Sequence, residues 1–470
     1  MQSIFLFGVY CSFFLIATAA PFVLALGYVW IDLFRPQIVN PGIMGMFPLS
    51  MIIGIAVLVA YFSADRRDPP KFSLVQGLMV AYVIWMVVNT YTIAVLAADA
   101  PGKLDWASKT VVFAILIPYF FRSRVQIEAM ILTVLAASAG NVIAFAGKVA
   151  VGGSYYGQAL GLSRSDFGFG ESSTFSMICA ALVPLILYMM KHSVIIPRFP
   201  LRNIAHYAAC GVCILALIGT HARTGIIALG ALVALLWLQS RHKLLLAGAA
   251  FGAVFVTLPF LGQAWLARMD TINAPTQESS ALGRIAVWKW TMEYVAANPL
   301  GGGFEIYRTN RYTMMMADGT PFTIAGKAFH SIYFEVLGEL GYPGLILMLS
   351  MFAITFVHLV RLRRQTRDEP DLEWVRDLAL ALTTSLIIYM VGGAFVGVAF
   401  QPLHYDWMSL TVALAAYLAR YRREQLAEAG VSHTTAWKPP ELARRPRAPE
   451  GSAWSPARGG VATRDLRQGL

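Results

Sequence analysis

Charge is what this sequence has least of. Asp, Glu, Lys and Arg make up 13% of its 470 residues, about half the share of an ordinary soluble domain, which excludes a water-surrounded globular fold for most of the chain. Cysteine is nearly absent too. The four present, Cys11, Cys179, Cys210 and Cys213, all fall in apolar runs, and no His or further Cys completes a site around the C-x-x-C pair Cys210 and Cys213. They read as small packed side chains. "MQSIFLFG" has no basic leader, so the N-terminus reads as a first span, not a signal peptide. The sequence contains no Walker A pattern, Rossmann fingerprint, metal-ligand cluster or evident internal repeat. Nucleotide is therefore not the expected fuel, and neither cofactor nor metal is expected.

What the chain has in excess is apolar runs. Hydrophobic residues reach 57% and the mean hydropathy is +0.60. Segments long enough for about 30 Å of hydrocarbon recur at 4–34, 43–62, 74–97, 107–121, 125–147, 174–190, 204–220, 224–239, 244–261, 332–358, 378–400 and 405–420. The first is too long for one upright helix and holds Pro21, so it is one kinked helix or a hairpin of two short ones. The expectation is an all-α polytopic membrane protein of about 12 spans, 13 with the hairpin. Its expected parts are an N-terminal transmembrane bundle (1–261), a periplasmic loop domain (262–331), C-terminal transmembrane helices (332–423) and a Pro-, Arg- and Gly-rich disordered cytoplasmic tail (424–470).

The loops at 65–71, 122–124, 191–202, 241–243, 361–376 and 420–423 carry eighteen Lys and Arg. The short loops of the other side carry six: Arg35, Lys103, Lys109, Lys148, Arg164 and Arg223. The positive-inside rule makes the first set cytoplasmic. Lipid beside those loops accounts for most of the +11 net charge without nucleic acid.

Three residues on the opposite side stand out. Arg223 sits in "THARTG" where two spans meet; Arg284 stands near the start of an apolar-periodic stretch with Ile285, Trp288, Met292 and Val295; His330 directly precedes the span at 332. That stretch has the spacing of an amphipathic helix lying on the membrane surface or under the loop, and a cation at a helix start is not there for helix stability. Guanidinium forks match phosphate oxygens, so a lipid-linked diphosphate suits the two arginines. An imidazole beside it suits removal of a proton from an acceptor hydroxyl. A plainer reading stands beside each: Arg223 as a snorkelling loop charge, Arg284 paired with Glu278 or Asp270, His330 as a cap at a span entrance.

The order "THARTG", "GRIAVW" with "NPLGGGF", then "HSIYFEVLGELGYPG" resembles the O-antigen ligase and polymerase superfamily of bacterial envelope glycosyltransferases, over about residues 200–400. "YVWIDLFRPQ" resembles the subgroup of O-glycosylation ligases associated with exosortase systems. The resemblance implies inverting, metal-independent glycan transfer from undecaprenyl diphosphate at the periplasmic face of the bacterial inner membrane. In that family the motif arginines hold the diphosphate and the motif histidine activates the acceptor; the matching positions are Arg223, Arg284 and His330. Ser331 stands where an Asn often follows the histidine, and Glu339, among glycines, matches an acidic position read as structural. Arg164, Tyr155, Tyr156 and Arg308 are candidates for a sugar path. The acceptor is open among lipid A core, a protein side chain and another growing glycan, the last making a polymerase. A transporter using the same arginines without chemistry is the rival, disfavoured because the unusual charges gather at one face.

Overall fold

The computed structural model describes residues 2–40, 42–64, 69–152, 170–244, 248, 252, 279–316 and 319–428. The expected span at 244–261, apart from residues 244, 248 and 252, and the tail beyond Glu428 therefore lie outside the described residues. Residues 1–420 form one unit; 421–470 are a second, whose described part is the last turns of a helix in which Gln425 donates to the Tyr421 hydroxyl at 2.9 Å.

The chain is mostly helical. In order it forms α1 (Gln2–Ala17), α2 (Val23–Phe34), the single turn α3 (Pro36–Val39), α4 (Leu49–Ala64), α5 (Leu74–Thr92), α6 (Ala100–Phe120), α7 (Arg124–Ala150), α8 (Ser172–His192), α9 (Arg202–Gly219) and α10 (Arg223–Gln239). Then come α11 (Ser279–Ala297), strands β1 (Arg311–Met315) and β2 (Pro321–Ala325), α12 (Ile332–Gln365), α13 (Glu373–Gly393) and α14 (Pro402–Glu428). Among the described residues six helices are long and apolar enough to cross a membrane, and α1, α2, α4 and α10 are shorter apolar helices. The outward faces of α4 and α5 expose Ile55, Val59, Phe62, Ile84 and Val88. A patch of that kind is unstable in water and at home in lipid. The protein is a multi-pass membrane protein.

The long first run is a hairpin. It breaks around Pro21, and α2 folds back on α1 with the Phe13 and Trp30 rings 5.7 Å apart. Gly27 admits this approach, since a Cβ there would collide with Phe13 and Ile53. Starts of α5 and α7 follow a Ser-x-x-Gln rule: Ser73 with Gln76, and Ser123 with Gln126, form reciprocal capping boxes. At the centre stands α8, buried without a break from Ser173 to Ile186 and packed against α9, α10 and α13. A helix apolar all round belongs inside a bundle.

Two of the expected boundaries change. The 378–400 run ends its helix at Gly393, and 394–401 is a separate loop folded onto α12. The last helix extends past the expected 423/424 boundary to Glu428. To this helical fold is added a small β-hairpin, register Arg311 opposite Ala325 through Met315 opposite Pro321. It packs with α11 over a small core of Ala286, Val287, Ile306, Ile324 and Phe329. The stripe that α11 buries within the protein is Leu282, Ala286, Val287, Thr291 and Val295, set by the hairpin and Phe329, while Ile285 and Met292 face outward.

The two ends of the bundle differ in chemistry. Arg124 pairs with Glu128 (2.9 Å), Lys191 pairs with Glu373 (2.9 Å) and Asp377 (2.7 Å), and Arg420 donates to the Arg122 carbonyl (2.6 Å). These belong to the basic loops, which thus share one end. At the other end lie Lys103, the 299–303 turn and His330. The 21 residues of α6, Ala100–Phe120, span roughly 30 Å, with Lys103 in the first turn and Arg122 just beyond the last.

Candidate functional site

The turn between α9 and α10 is built for closeness. Thr220 folds its hydroxyl back to the Leu217 carbonyl (2.8 Å) and accepts from the Ala222 amide (3.2 Å), while His221 takes a left-handed φ of 55°. Gly219 lies against Val149 and Gly225 against Ser176 so tightly that a Cβ on either would clash. Arg223, half-buried, is the first residue of α10. A cation there opposes the helix dipole. The same argument fails for Arg284. Its helix has begun by Ser279, so Arg284 sits in the second turn, where the dipole is weak.

His330 is held by its neighbours and not by its own ring. Trp288 donates from Nε1 to the Phe329 carbonyl at 2.8 Å and stacks on Phe334 with ring centroids 5.1 Å apart. Phe329 is buried against Gly338, and the Ser331 carbonyl accepts from the Glu335 amide at 2.8 Å. Fixed on both sides, His330 adopts φ 49°, a region that non-glycine residues enter only when their surroundings impose it. Ser331 is the N-cap of α12 and its side chain makes no capping bond, so the capping role suggested for His330 is not seen.

His330 lines an open cavity of about 640 Å³ with Lys327 and the β2 strand. Burial first, then the charges of Arg284 and Lys327, pull its pKa down to about 4, against smaller opposing effects of Glu171 and Glu335. Arg284 and His330 are thus brought within electrostatic reach. Glu171 supplies the link to Arg223. It caps α8 by accepting from the Thr174 amide (2.6 Å), and Ser176, in the first turns of that helix, touches Gly225 beside Arg223. Arg223, Arg284 and His330 therefore occupy the same end of the bundle.

Beneath this end lies an ion cluster that sequence reading did not find. Lys103 pairs with Glu335 (2.9 Å) and Glu339 (2.8 Å), all three side chains nearly or fully enclosed. Glu335 also accepts from the Ala399 amide (3.0 Å), and Glu339 from the Glu305 amide (3.1 Å). The glycines explain how the chain closes around it. Gly302 and Gly303 donate to the carbonyls of Gly338 and Glu339 (3.0 and 2.9 Å), and Tyr342 returns a bond to Pro299 (2.9 Å). Gly301, Gly303 and Gly341 have φ of 82°, 85° and 65°; a Cβ on Gly301 or Gly341 would strike the other's backbone, and one on Gly303 would strike Ala94. "NPLGGGF" and "ELGYPG", whose bonded residues are 36 to 43 positions apart along the chain, are two halves of one joint.

The remaining candidates fare differently. Arg308 is half-exposed and paired with Glu305 (2.7 Å) and Asp99 (3.5 Å). Tyr155, Tyr156 and Arg164 lie outside the described residues, as do Glu278 and Asp270.

Residues 208–349, which hold Arg223, Arg284, His330, Glu335 and Glu339, match the O-antigen ligase family. In that segment the chain is O-antigen ligase-like. The match supports a membrane glycosyltransferase of the general ligase or polymerase type, with a lipid-linked glycan donor and an acceptor. Residues 1–194 match a family of unknown function (DUF5935), and no curated protein matches the chain. Lys103 belongs to this N-terminal segment and its carboxylates to the ligase segment, so the buried cluster ties the two matched regions of this O-antigen ligase-like chain together.

Proposed function

We propose that the protein transfers a preassembled glycan from undecaprenyl diphosphate to a hydroxyl acceptor at the periplasmic face of a bacterial inner membrane. Arg223 and Arg284 hold the diphosphate through bidentate forks. The neutral imidazole of His330 takes the proton of the acceptor hydroxyl as its oxygen bonds to the anomeric carbon, with inversion. The carbon–oxygen bond to phosphate breaks, and its electron pair leaves on undecaprenyl diphosphate, whose growing charge the guanidinium groups stabilise. Neither nucleotide nor metal enters these steps.

The observation that carries this reading is the placement of His330. It lines an open cavity next to Arg284, where burial and then the neighbouring cations keep the imidazole uncharged at neutral pH, the state a base needs. The basic loops gathered at the opposite end support the periplasmic orientation. A polymerase, in which the acceptor is a growing glycan, uses the same groups; no particular observation favours a lipid A core or protein acceptor over it. The experiment is an assay of purified protein with a lipid diphosphate-linked glycan and each acceptor class, without nucleotide or added metal. Product with one class assigns the acceptor. Failure with all, together with transport of the donor in sealed vesicles, replaces this reading with a transporter.

A pH dependence follows from the field around His330. For wild-type enzyme, kcat/KM for the donor is expected to stay level from neutral pH down to about pH 5 and to fall below it, as an imidazole of pKa about 4 takes up its proton. Arg284→Gln removes one of two cations opposing that proton, leaving Lys327 against the carboxylates of Glu171 and Glu335. Its acid limb should move to higher pH, towards the ordinary imidazole value. An unmoved limb would dissociate Arg284 from the base.

A further inference from the structure

Lys327 is not one of the family-like motif positions, yet its surroundings are unusual for a surface lysine. Its backbone is clamped by one residue: the Lys327 amide donates to Asn310 Oδ1 at 3.0 Å and its carbonyl accepts from Asn310 Nδ2 at 2.6 Å. Asn310 is itself 1% exposed. The half-buried side chain then runs across Gly283, close enough that a Cβ on that glycine would overlap the lysine's Cδ, Cε and Nζ. The next residue of that helix is Arg284.

This arrangement puts an ammonium beside a guanidinium in partial burial. Among the described residues no carboxylate lies within ion-pair distance of Lys327. Burial and the Arg284 charge both lower its pKa. A free lysine avoids such a place by turning its flexible stem outward. Here the stem and head are laid along Gly283, and Lys327 lines the same cavity as His330. A lysine held in partial burial near another cation, with no carboxylate in reach among the described residues, becomes favourably placed once an anion of more than one charge approaches it.

We propose that Lys327 is a third binding group for the diphosphate of the lipid-linked donor, a point charge set beside the planar fork of Arg284 by Asn310 and Gly283. It rests on the reading given under Proposed function. The ammonium contacts the non-reacting diphosphate oxygens, so its contribution falls on donor affinity and not on the acceptor.

The test uses the full-length protein in nanodiscs of phosphatidylcholine, titrated with undecaprenyl diphosphate as the probe and, separately, with phosphatidylglycerol. For Lys327→Met, which keeps the stem over Gly283, the dissociation constant for undecaprenyl diphosphate should rise about tenfold, the loss of one charge-assisted hydrogen bond. Lys327→Arg should stay within about threefold of wild type, and acceptor KM should not change. Gly283→Ala, which pushes the flexible stem aside without altering the lysine, should mimic Lys327→Met, so a folding failure of either variant leaves the other to decide. If the wild type binds the probe and both variants bind it as tightly, Lys327 has no such role. An equal loss for phosphatidylglycerol would reassign it to the headgroup of a bulk lipid. A wild type that does not bind undecaprenyl diphosphate at all overturns the donor assignment itself, a distinct result.

Discussion

Replacing His330 with alanine should lower the rate of glycan transfer by about 10²- to 10⁴-fold, the usual contribution of a positioned general base, while donor affinity and melting temperature stay close to wild type. The second half of that expectation comes from the architecture. His330 is held through the Phe329 carbonyl on Trp288 and the Ser331 carbonyl on the Glu335 amide, contacts that alanine leaves in place. The left-handed φ of 49° is as uncomfortable for alanine as for histidine, so little strain is added. Transfer and donor binding should therefore separate cleanly, the first collapsing and the second persisting. Normal turnover by the alanine variant would remove the imidazole from the chemistry.

Lys103→Met should destabilise the protein by about 3–5 kcal/mol, as breaking a buried pair by deleting one partner does, and should show as a large drop in melting temperature in detergent. The substitution leaves Glu335 and Glu339 facing each other with 11% and no side-chain exposure. Two backbone amides remain to them, but no countercharge. The triple variant Lys103→Met, Glu335→Gln, Glu339→Gln removes the charges together and should recover most of the loss. By contrast Arg308→Ala, in a half-exposed pair with Glu305, should leave the melting temperature nearly unchanged. Equal melting of Lys103→Met and wild type would show that the cluster does not hold the joint closed.

The membrane class, the positions of most helices and the order of the motifs were all legible along the chain. Hydropathy is a property of contiguous residues, and a helix in lipid must satisfy its own backbone bonds, so span positions are written locally. Capping boxes at Ser73 and Ser123 are local in the same way. Arg223, Arg284 and His330 were visible because each falls in a short motif of recognisable composition. One local reading went astray: Arg284 looked like a helix start, but its helix has begun by Ser279. The face that α11 buries within the protein depends on what packs against it, and Ile285, Trp288, Met292 and Val295 give no sign of the hairpin that covers Ala286 and Val287.

By itself, then, the sequence determined a polytopic helical protein with a candidate glycan-transfer motif set. Tertiary structure alone decided that 4–34 is a hairpin, that β1 and β2 roof α11, and that Lys103 neutralises two carboxylates 232 and 236 residues away. It also decided that Lys327 lies against Arg284. Pairings of that kind have no period or spacing to betray them; a lysine in an outer loop looks the same whether it meets water or a buried glutamate, and only the folded chain brings the second charge to it.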